Sequence, residues 1–276
     1  MITILILAAN EIRAGLRNRW VVATTLLMAA LALTLAFLGS APTGNVGVGA
    51  LAVTVVSLSS LTIFLLPLIA LLLSYDAVVG EVERGTLILL LSYPVGRGQV
   101  VLGKFLGHTA ILTFATVLGY GAAGLALVAS SGPADAGAWH AFLAMIGSSV
   151  LLGAAFTALG YLISVAARDR GTAAGLAIGA WLGLVLLYDM GLLGALVADH
   201  GRFLSVPVVN ALLLINPTDV YRLFNLSGFS DVGRFAGMAG LTGQLQVSPA
   251  ALLAALAAWV ATPLLIATLL FQRRQF

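Results

Sequence analysis

The sequence predicts an all-α membrane protein: six transmembrane helices, an N-terminal amphipathic helix lying at the membrane interface, and a helical cap between the fifth and sixth spans. Three observations support this fold class: a hydrophobic composition, long stretches without charge, and an uneven distribution of lysine and arginine. Hydrophobic residues make up 61% of the chain and charged residues 8%, whereas soluble domains carry about 25% charged residues. This composition excludes an ordinary cytosolic enzyme and a disordered chain.

Stretches free of charged residues locate the spans. A transmembrane helix needs about 20 apolar residues, and a charge at the bilayer centre costs about 2.5–3.5 kcal/mol on insertion scales. Outer-membrane strands are excluded because they would alternate polar and apolar residues, a pattern that this chain lacks. We therefore expect a single transmembrane domain, residues 1–276, with spans at residues 20–39, 52–74, 104–130, 140–167, 172–192 and 250–271.

Lysine and arginine predict the orientation of the spans, because loops that stay in the cytoplasm are enriched in them. Ten of the 13 lie in the N-terminal segment, in the loops after the second and fourth spans, and at the C-terminus. Both termini should therefore face the cytoplasm. The net charge of +3 belongs to these loops, so we expect no nucleic-acid partner.

Residues 1–19 predict an amphipathic helix rather than a cleaved signal peptide, because no basic start precedes the apolar run. Apolar residues recur at three- and four-residue steps, while Asn10, Arg13 and Arg17 line another face. Such a helix lies in the plane of the membrane interface, with its basic side toward anionic lipid headgroups. A fraying tail is the alternative reading.

The predicted cytoplasmic loop between Asp76 and Lys104 carries the densest charge of the chain. Its middle, residues 85–91, is apolar but too short to span a membrane, and Tyr93-Pro94 should end any helix there. We predict a short amphipathic helix whose apolar side rests on the bundle, with charged residues exposed at one end. That shape suits the docking of another protein, whereas the alternative is a connector with solvated charges.

Two patterns that resemble functional motifs do not support a cofactor or an enzyme. Residues 98–104 satisfy G-x-x-x-x-G-K, but Phe105 replaces the Ser or Thr that would hold magnesium, and no strand precedes the motif. His108, His140 and His200 lack metal-ligand spacing, and the chain has no cysteine. We expect no cofactor, no metal and no catalytic residue in this chain. His108 and Asp189 lie near the predicted ends of spans, where snorkelling toward the interface explains them.

Gly171, Gly175, Gly179 and Gly183 recur at strict four-residue spacing along the fifth span. A stripe of glycines on one face of a helix lets another helix approach closely. The partner helix could belong to this chain or to a second copy. We favour a role at a dimer interface.

Residues 193–249 form the predicted outer loop. Within it, Asn216-Pro217-Thr218-Asp219 is a helix start, with Asn as cap, Pro in the first turn and Asp near the positive helix end. We predict short interfacial or re-entrant helices that cover the outer mouth of the bundle.

Several motifs resemble the permease subunits of the ABC-2 class of ABC transporters: Arg17-Asn18-Arg19-Trp20, Glu83-Arg84-Gly85-Thr86-Leu87, Leu91-Ser92-Tyr93-Pro94 and Gly103-Lys104-Phe105. The similarity extends to the length, the topology and the placement of the loops. Within the class, residues 188–194 and 216–222 resemble the branch that serves copper-site maturation of bacterial nitrous oxide reductase.

This resemblance implies a homodimer in the bacterial inner membrane, two cytoplasmic ABC ATPase subunits that bind ATP and Mg, and a periplasmic copper-handling partner. In the family, the loop after the second span carries the helix that docks into the ATPase. The corresponding contact residues here are Glu81, Glu83, Arg84, Gly85 and Thr86, followed in the next cytoplasmic turn by Arg168, Asp169 and Arg170. The residues expected to contact the periplasmic partner are Asn216, Asp219 and Arg222.

Three functions remain open at this point. The first is an ATP-driven permease or force transmitter, serving copper-site assembly or exporting another substrate. The second is a secondary transporter that works alone, although no inverted repeat and no paired mid-membrane acid supports it. The third is a membrane anchor for an outer protein.

Overall fold

A computed structural model describes residues 2–16, 19–38, 50–131, 136–199, 205–227 and 247–274. Within these ranges the regular structure is helical throughout. The long helices are α2 (Arg19–Leu38), α3 (Ala50–Ser74), α6 (Arg97–Ser131), α7 (Ala136–Ala166) and α12 (Pro249–Arg273). A further long helix consists of α8 (Arg170–Trp181), a π-helical segment (Leu182–Leu187) and α9 (Tyr188–Asp199). The shorter helices are α1 (Ile2–Leu16), α4 (Val79–Glu83), α5 (Thr86–Leu91), α10 (Val206–Ile215) and α11 (Pro217–Ser227).

Five helical stretches of the described residues are long and apolar enough to cross a membrane: Thr54–Glu83, Arg97–Ala126, Ala136–Ala166, Arg170–Asp199 and Pro249–Arg273. The first of them runs from α3 through the turn at residues 75–78 into α4. They match five of the six predicted spans. The first predicted span coincides with α2, in which Thr25–Thr34 qualifies only as a shorter apolar helix. The sixth crossing and the orientation therefore stay predictions.

Two helices extend farthest beyond the predicted spans. α6 begins at Arg97 instead of residue 104, where Gly96 N–H donates to Gln99 Oε1 (3.1 Å) and a backbone donor at the helix start is satisfied. The fifth long helix continues to Asp199, although we expected a loop from residue 193. The helices are longer than the predicted spans because charge-free stretches mark only the lipid-embedded part of a helix, and a helix can continue past it into polar surroundings.

α7 is the central helix and contacts α3, α6, α11 and α12. Small residues allow this crowding: a Cβ on Gly160 would collide with the Ser74 side chain, and one on Gly153 with the Leu112 side chain. Between membrane helices, close approach gains van der Waals contact, which drives association where the hydrophobic effect is absent. α7 thus holds its neighbours at positions set by its glycines.

α1 packs along α6 through a second pair of small residues. A Cβ on Gly103 would lie 2.6 Å from Leu7 Cβ, and one on Gly107 would lie 2.5 Å from Glu11 Cβ. The predicted apolar stripe of α1 points away from this contact, since Ile2 and Leu5 are exposed. The helix therefore presents apolar residues outward and buries the face that carries Glu11, which the periodicity of the sequence did not indicate.

The last turns of α3, α7 and α12 and the first turns of α6 and α8 meet at one end of the bundle, which we call the charged end. Arg97 Nη1 donates to the backbone oxygens of Phe271 (3.4 Å) and Gln272 (3.1 Å) at the end of α12. Arg274 in turn donates to Val165 O (2.6 Å) and Ala167 O (3.1 Å) at the end of α7. Each guanidinium satisfies carbonyls that a helix C-terminus leaves free.

At the opposite end, α11 starts at Pro217, as the Asn-Pro-Thr-Asp motif predicts. Asn216 Oδ1 accepts a hydrogen bond from Thr218 N–H (3.1 Å). The helix does not lie on the surface: it contacts α3, α7 and α12, and Val220 and Tyr221 are fully buried. Of the two predicted arrangements, interfacial or re-entrant, this burial favours the re-entrant one.

Candidate functional site

The predicted docking residues lie at the charged end, within residues 79–91, which comprise α4, a turn and α5 and which we call the docking segment. The turn contains Gly85, whose φ of 70° lies in the left-handed region that glycine adopts without strain. At the start of α4, the hydroxyl of Ser164 on α7 accepts hydrogen bonds from Val78 N–H (3.0 Å) and Val79 N–H (3.1 Å). The docking segment is thus attached to the central helix at its first turn.

The structure brings the two predicted ATPase contacts together. Arg170 Nη2 lies 2.7 Å from Asp76 Oδ2, and Arg170 N–H donates to Glu83 Oε1 (2.8 Å). The turn at residues 168–170 therefore lies directly beside the docking segment. The two contacts, separate in the sequence, form one continuous surface.

Asp169 explains why α8 begins where it does. Its carboxylate accepts hydrogen bonds from Thr172 N–H (2.8 Å) and from the Thr172 hydroxyl (2.7 Å), as an N-cap does. These bonds hold the pKa of Asp169 below its usual range. Arg168 is exposed beside it. Asp169 has a structural role in the chain, and its contact with an ATPase stays a prediction.

α5 combines one buried anchor with an exposed apolar face. Leu87 is buried among residues of α6, α7 and α12, whereas Ile88, Leu89 and Tyr93 are 64%, 67% and 68% exposed. Glu83 and Arg84 are exposed next to them. We call this set, Glu83, Arg84, Ile88, Leu89 and Tyr93, the docking face. An apolar patch rimmed by charge is typical of a surface that binds another protein.

Glu81 does not belong to the docking face. Its carboxylate points into the bundle and lies 2.8 Å from Lys104 Nζ on α6. The same ammonium pairs with Glu11 of α1. We call Glu11, Glu81 and Lys104 the Lys104 cluster. The prediction that Glu81 contacts an ATPase directly conflicts with this inward orientation, and sequence reasoning missed Glu11 and Lys104 because no local pattern connects them.

His108 lies one turn along α6 from Lys104 and is also buried. The Tyr161 hydroxyl is 2.8 Å from His108 Nδ1, and His108 Nε2 is 3.7 Å from Glu11 Oε2. The interpretation of His108 as a snorkelling side chain is therefore wrong: its partners come from α7 and α1. Asp189 is likewise paired inside the chain, with Arg222 Nη2 at 2.6 Å.

The G-x-x-x-x-G-K pattern lies inside the helix α6 and does not form a phosphate-binding loop. Its second glycine, Gly103, is in contact with α1. Among the described residues, no group of three or more His, Asp or Glu side chains is arranged to hold a metal ion. His200 lies outside those residues.

At the opposite end, Arg222 joins two carboxylates. Arg222 Nη1 lies 2.8 Å from Asp219 Oδ1, and the other guanidinium nitrogen reaches Asp189. Burial, and then the neighbouring Asp189, raise the pKa of Asp219 to about 7, although Arg222 opposes the shift. We call these three residues the Arg222 cluster. It contains one more carboxylate than cations.

The π-helical segment adjoins this cluster. A π turn leaves the regular hydrogen-bond pattern of a helix, and such turns are frequent at functional sites. The amide of Asn216 donates to Leu184 O within the segment (2.8 Å) and to Asp219 Oδ2 (3.0 Å). Asn216 and Asp219 are fully buried by the chain itself, and Arg222 is partly exposed. A direct contact of these residues with an outer partner is untested, and Arg222 is the most accessible of the three.

The glycine stripe lies on an open face. A Cβ on Gly175, Gly179 or Gly183 would meet no atom within 4 Å, and one on Gly171 would meet only Asp169 Oδ1. The described part of the chain therefore provides no helix against the stripe. A contact of the stripe with a second copy of the chain stays a prediction.

Two comparisons with known proteins, one with family models and one with individual proteins, both find ABC transporter proteins. The model of the family described as ABC-2 family transporter protein matches residues 5–276. The probable ABC transporter permease protein NosY of Pseudomonas aeruginosa is 50% identical over 269 residues, which cover 97% of each chain. The protein of the same name from Stutzerimonas stutzeri is 47% identical over 269 residues, with the same coverage.

Proposed function

Because the chain belongs to the ABC-2 family of transporter permeases, we propose that it couples ATP hydrolysis by separate ATPase subunits to copper-site assembly of nitrous oxide reductase on the opposite side of the membrane. The chain is a permease subunit of an ABC transporter and not itself an enzyme. Its similarity to NosY and the resemblance of residues 188–194 and 216–222 to that branch support the copper-site role.

The proposal includes the partners and location that such a permease needs. Two copies of the chain lie in the bacterial inner membrane with the charged end in the cytoplasm. Two ABC ATPase subunits bind ATP and Mg and attach at this end, while a periplasmic copper-handling protein attaches at the other. In this arrangement the chain needs no cofactor of its own.

The docking face is the observation that carries the proposal. It presents three large apolar side chains beside Glu83 and Arg84, and Arg170 joins it to the turn before α8. Aromatic and apolar anchors supply the binding energy of protein interfaces, whereas surrounding charges set register and reject wrong geometries. An ATPase that binds here contacts α4, α5 and α8 together. The attached helices α3 and α7 then receive its movement.

The test is reconstitution of the full chain with its ATPase in lipid vesicles. We expect the wild-type chain to retain the ATPase during purification and to change its hydrolysis rate. The variant Leu89→Asp should lose the ATPase while remaining in the membrane, because it places a charge at the centre of an apolar contact. Arg273→Glu, an exposed change at the same end, is the matched control and should bind normally.

The same experiment, together with a copper assay of nitrous oxide reductase from cells, separates the alternatives. A chain that purifies and transports without any ATPase is a secondary transporter. A chain that binds an ATPase but does not affect the copper content of nitrous oxide reductase in cells is an ABC-2 exporter of another substrate. Retention of an outer protein alone indicates a membrane anchor.

A further inference from the structure

Lys104 lies where three parts of the chain meet. It belongs to α6, its side chain is only 7% exposed, and its ammonium contacts the carboxylates of Glu11 on α1 and Glu81 on α4. Glu11 is distant in the sequence from both Glu81 and Lys104. The Lys104 cluster is thus the point at which the N-terminal helix, the third predicted span and the docking segment are connected by charge.

Separating either carboxylate of the Lys104 cluster from Lys104 costs free energy. A buried ion pair that loses one partner leaves a desolvated charge behind, and a loss of this kind is strongly destabilising. Glu81 or Glu11 can therefore not leave Lys104 without a penalty. Because Gly103 and Gly107 also bring α1 into close contact with α6, α1 and α4 are both fixed to the same part of α6.

Glu81 and Glu83, both on α4, contact different parts of the chain. The two carboxylates lie on the same short helix, but Glu83 accepts a hydrogen bond from Arg170 at the docking face, and Glu81 reaches Lys104 in the interior. A protein that displaces the docking face moves α4, and α4 carries Glu81 with it. The displacement then acts on Lys104 and, through the ammonium, on Glu11.

We propose that Lys104 is a positioning residue for ATPase coupling: through Glu81 it holds the docking segment in place, and through Glu11 it makes the N-terminal helix move with that segment. The proposal rests on the proposed function. It gives α1 a mechanical role beyond lying on the membrane, since its exposed apolar residues and the docking face become parts of one moving unit.

A neutral variant tests the link without leaving unpaired charge. In Glu11→Leu/Lys104→Met/Glu81→Leu all three charged side chains are replaced by apolar ones of similar size. Replacement of a whole buried ion cluster by apolar residues of similar volume is often neutral for stability, whereas removal of one partner is not. Lys104→Arg, which keeps the positive charge, is the conservative variant.

Spin labels report whether α1 and the docking segment move together. The chain has no cysteine, so labels can be attached at two introduced cysteines. One replaces Ala14 on α1 and the other replaces Ser92 at the end of α5, and both positions are exposed and lie outside the docking face. The labelled chain must bind the ATPase as the unlabelled chain does before distances are measured.

Two measurements are made on the complex with its ATPase, with and without ATP. In the wild-type background the distance distribution between the labels should keep its width when ATP is added. In the neutral variant it should broaden, and the permease-dependent change in hydrolysis rate should fall by about 2- to 30-fold, the range of measured coupling effects. Lys104→Arg should preserve both properties.

The matched control is the Arg222 cluster, which also has two carboxylates and one cation but lies at the opposite end. Asp189→Asn/Arg222→Met/Asp219→Asn should leave the label distances unchanged. If the neutral variant of the Lys104 cluster does not accumulate in the membrane, Glu81→Gln alone, which leaves Lys104 paired with Glu11, provides the same test.

The outcomes are distinct. An unchanged distance distribution in the neutral variant overturns the proposal, and so does broadening without loss of ATPase coupling, because the link then has only a structural role. Failure of the wild-type chain to bind or affect the ATPase contradicts the proposed function instead.

Discussion

The side-chain amide of Asn216 donates a hydrogen bond of 2.8 Å to the backbone oxygen of Leu184, in the middle of the π-helical segment. The Thr218 hydroxyl approaches the same oxygen at 3.4 Å. The first turn of α11 and the residue before it therefore supply donors to a place where the fifth long helix departs from regular α geometry. The shape of that helix depends on a residue from another element.

The first prediction concerns this bond. Asn216→Ala removes a buried donor and leaves Leu184 O without it, and an unsatisfied buried polar group costs about 1–3 kcal/mol. We expect a lower thermal unfolding temperature in detergent, measured by the loss of monodisperse protein on heating. Asn10→Ala, at an exposed position of α1, should show no change. Equal unfolding temperatures for Asn216→Ala and the wild type would mean that α11 does not support the π-helical segment.

The second prediction concerns pH and Asp219. The pKa of this carboxyl is raised to about 7 in the folded chain, against about 3.9 when unfolded. Between these values the folded state binds the proton and the unfolded state does not, so the contribution of Asp219 to stability is largest at low pH and declines as pH rises from about 4 to about 7. The difference in unfolding temperature between the wild type and Asp219→Asn should follow this trend and level off above about pH 7. A difference that does not vary with pH contradicts the raised pKa.

The third prediction concerns the charges of the docking face. Glu83→Arg combined with Arg84→Glu reverses both, and because exposed ion pairs contribute only about 0–1 kcal/mol, insertion and oligomeric state should be retained. ATPase binding or the change in its hydrolysis rate should fall, since charges at an interface set its register. A pull-down with a hydrolysis assay measures both, with the amount of permease in the membrane as control. Normal binding and normal hydrolysis in this variant would indicate that the loop is only a connector with solvated charges.

The fourth prediction concerns the glycine stripe. Gly179 faces open space within the chain, so Gly179→Leu should leave the protomer folded and disturb only a contact with a second copy, where overpacking costs about 1–3 kcal/mol. We expect a shift from dimer to monomer in detergent, measured by light scattering. Gly121→Leu on α6 also meets open space and should keep the wild-type size. A Gly179→Leu protein of wild-type size would indicate that the stripe faces lipid.

The fifth prediction concerns orientation. A cysteine at Ala41, Ala134 or Ser230 should react with an impermeant thiol reagent in intact cells, and one at Arg97 or Arg273 only after permeabilisation. The distribution of lysine and arginine is the basis for this expectation. The first three positions lie outside the residues that the structure describes. External labelling at Arg97 would overturn the predicted topology.

Helices that depend on local properties were predictable. The start of α11 at Pro217 follows from cap chemistry, and the apolar helix α5 ends before Pro94, as the conformational restriction on the residue before a proline predicts. The extension of the fifth helix to Asp199 was not predictable in the same way. This extension lies beyond the charge-free stretch of the fifth span. The length of a lipid-embedded stretch does not predict how far a helix continues outside the lipid.

The candidate site divides along the same line. A short helix in this loop could be anticipated, because residues 85–91 are too short to span a membrane and too apolar for a simple connector. Its exposed apolar face could not: the sequence predicted that the apolar side rests on the bundle, whereas Ile88 and Leu89 are exposed. The inward orientation of Glu81 could not be anticipated either. Glu81 and Glu83 are equally charged and two residues apart, and only the position of Lys104 distinguishes them.

The sequence by itself determined the membrane class, the positions of five long apolar helices and the family, because each depends on the composition or order of neighbouring residues. Only the tertiary structure decided which charged residues meet. Glu11 and Glu81 reach Lys104, Arg222 reaches Asp189, and Asn216 reaches Leu184 across wide separations in the chain. The physical reason is that a buried charge or amide takes whichever partner the packing of the helices brings within bonding distance, and that packing is set by glycines whose contacts no local pattern reveals.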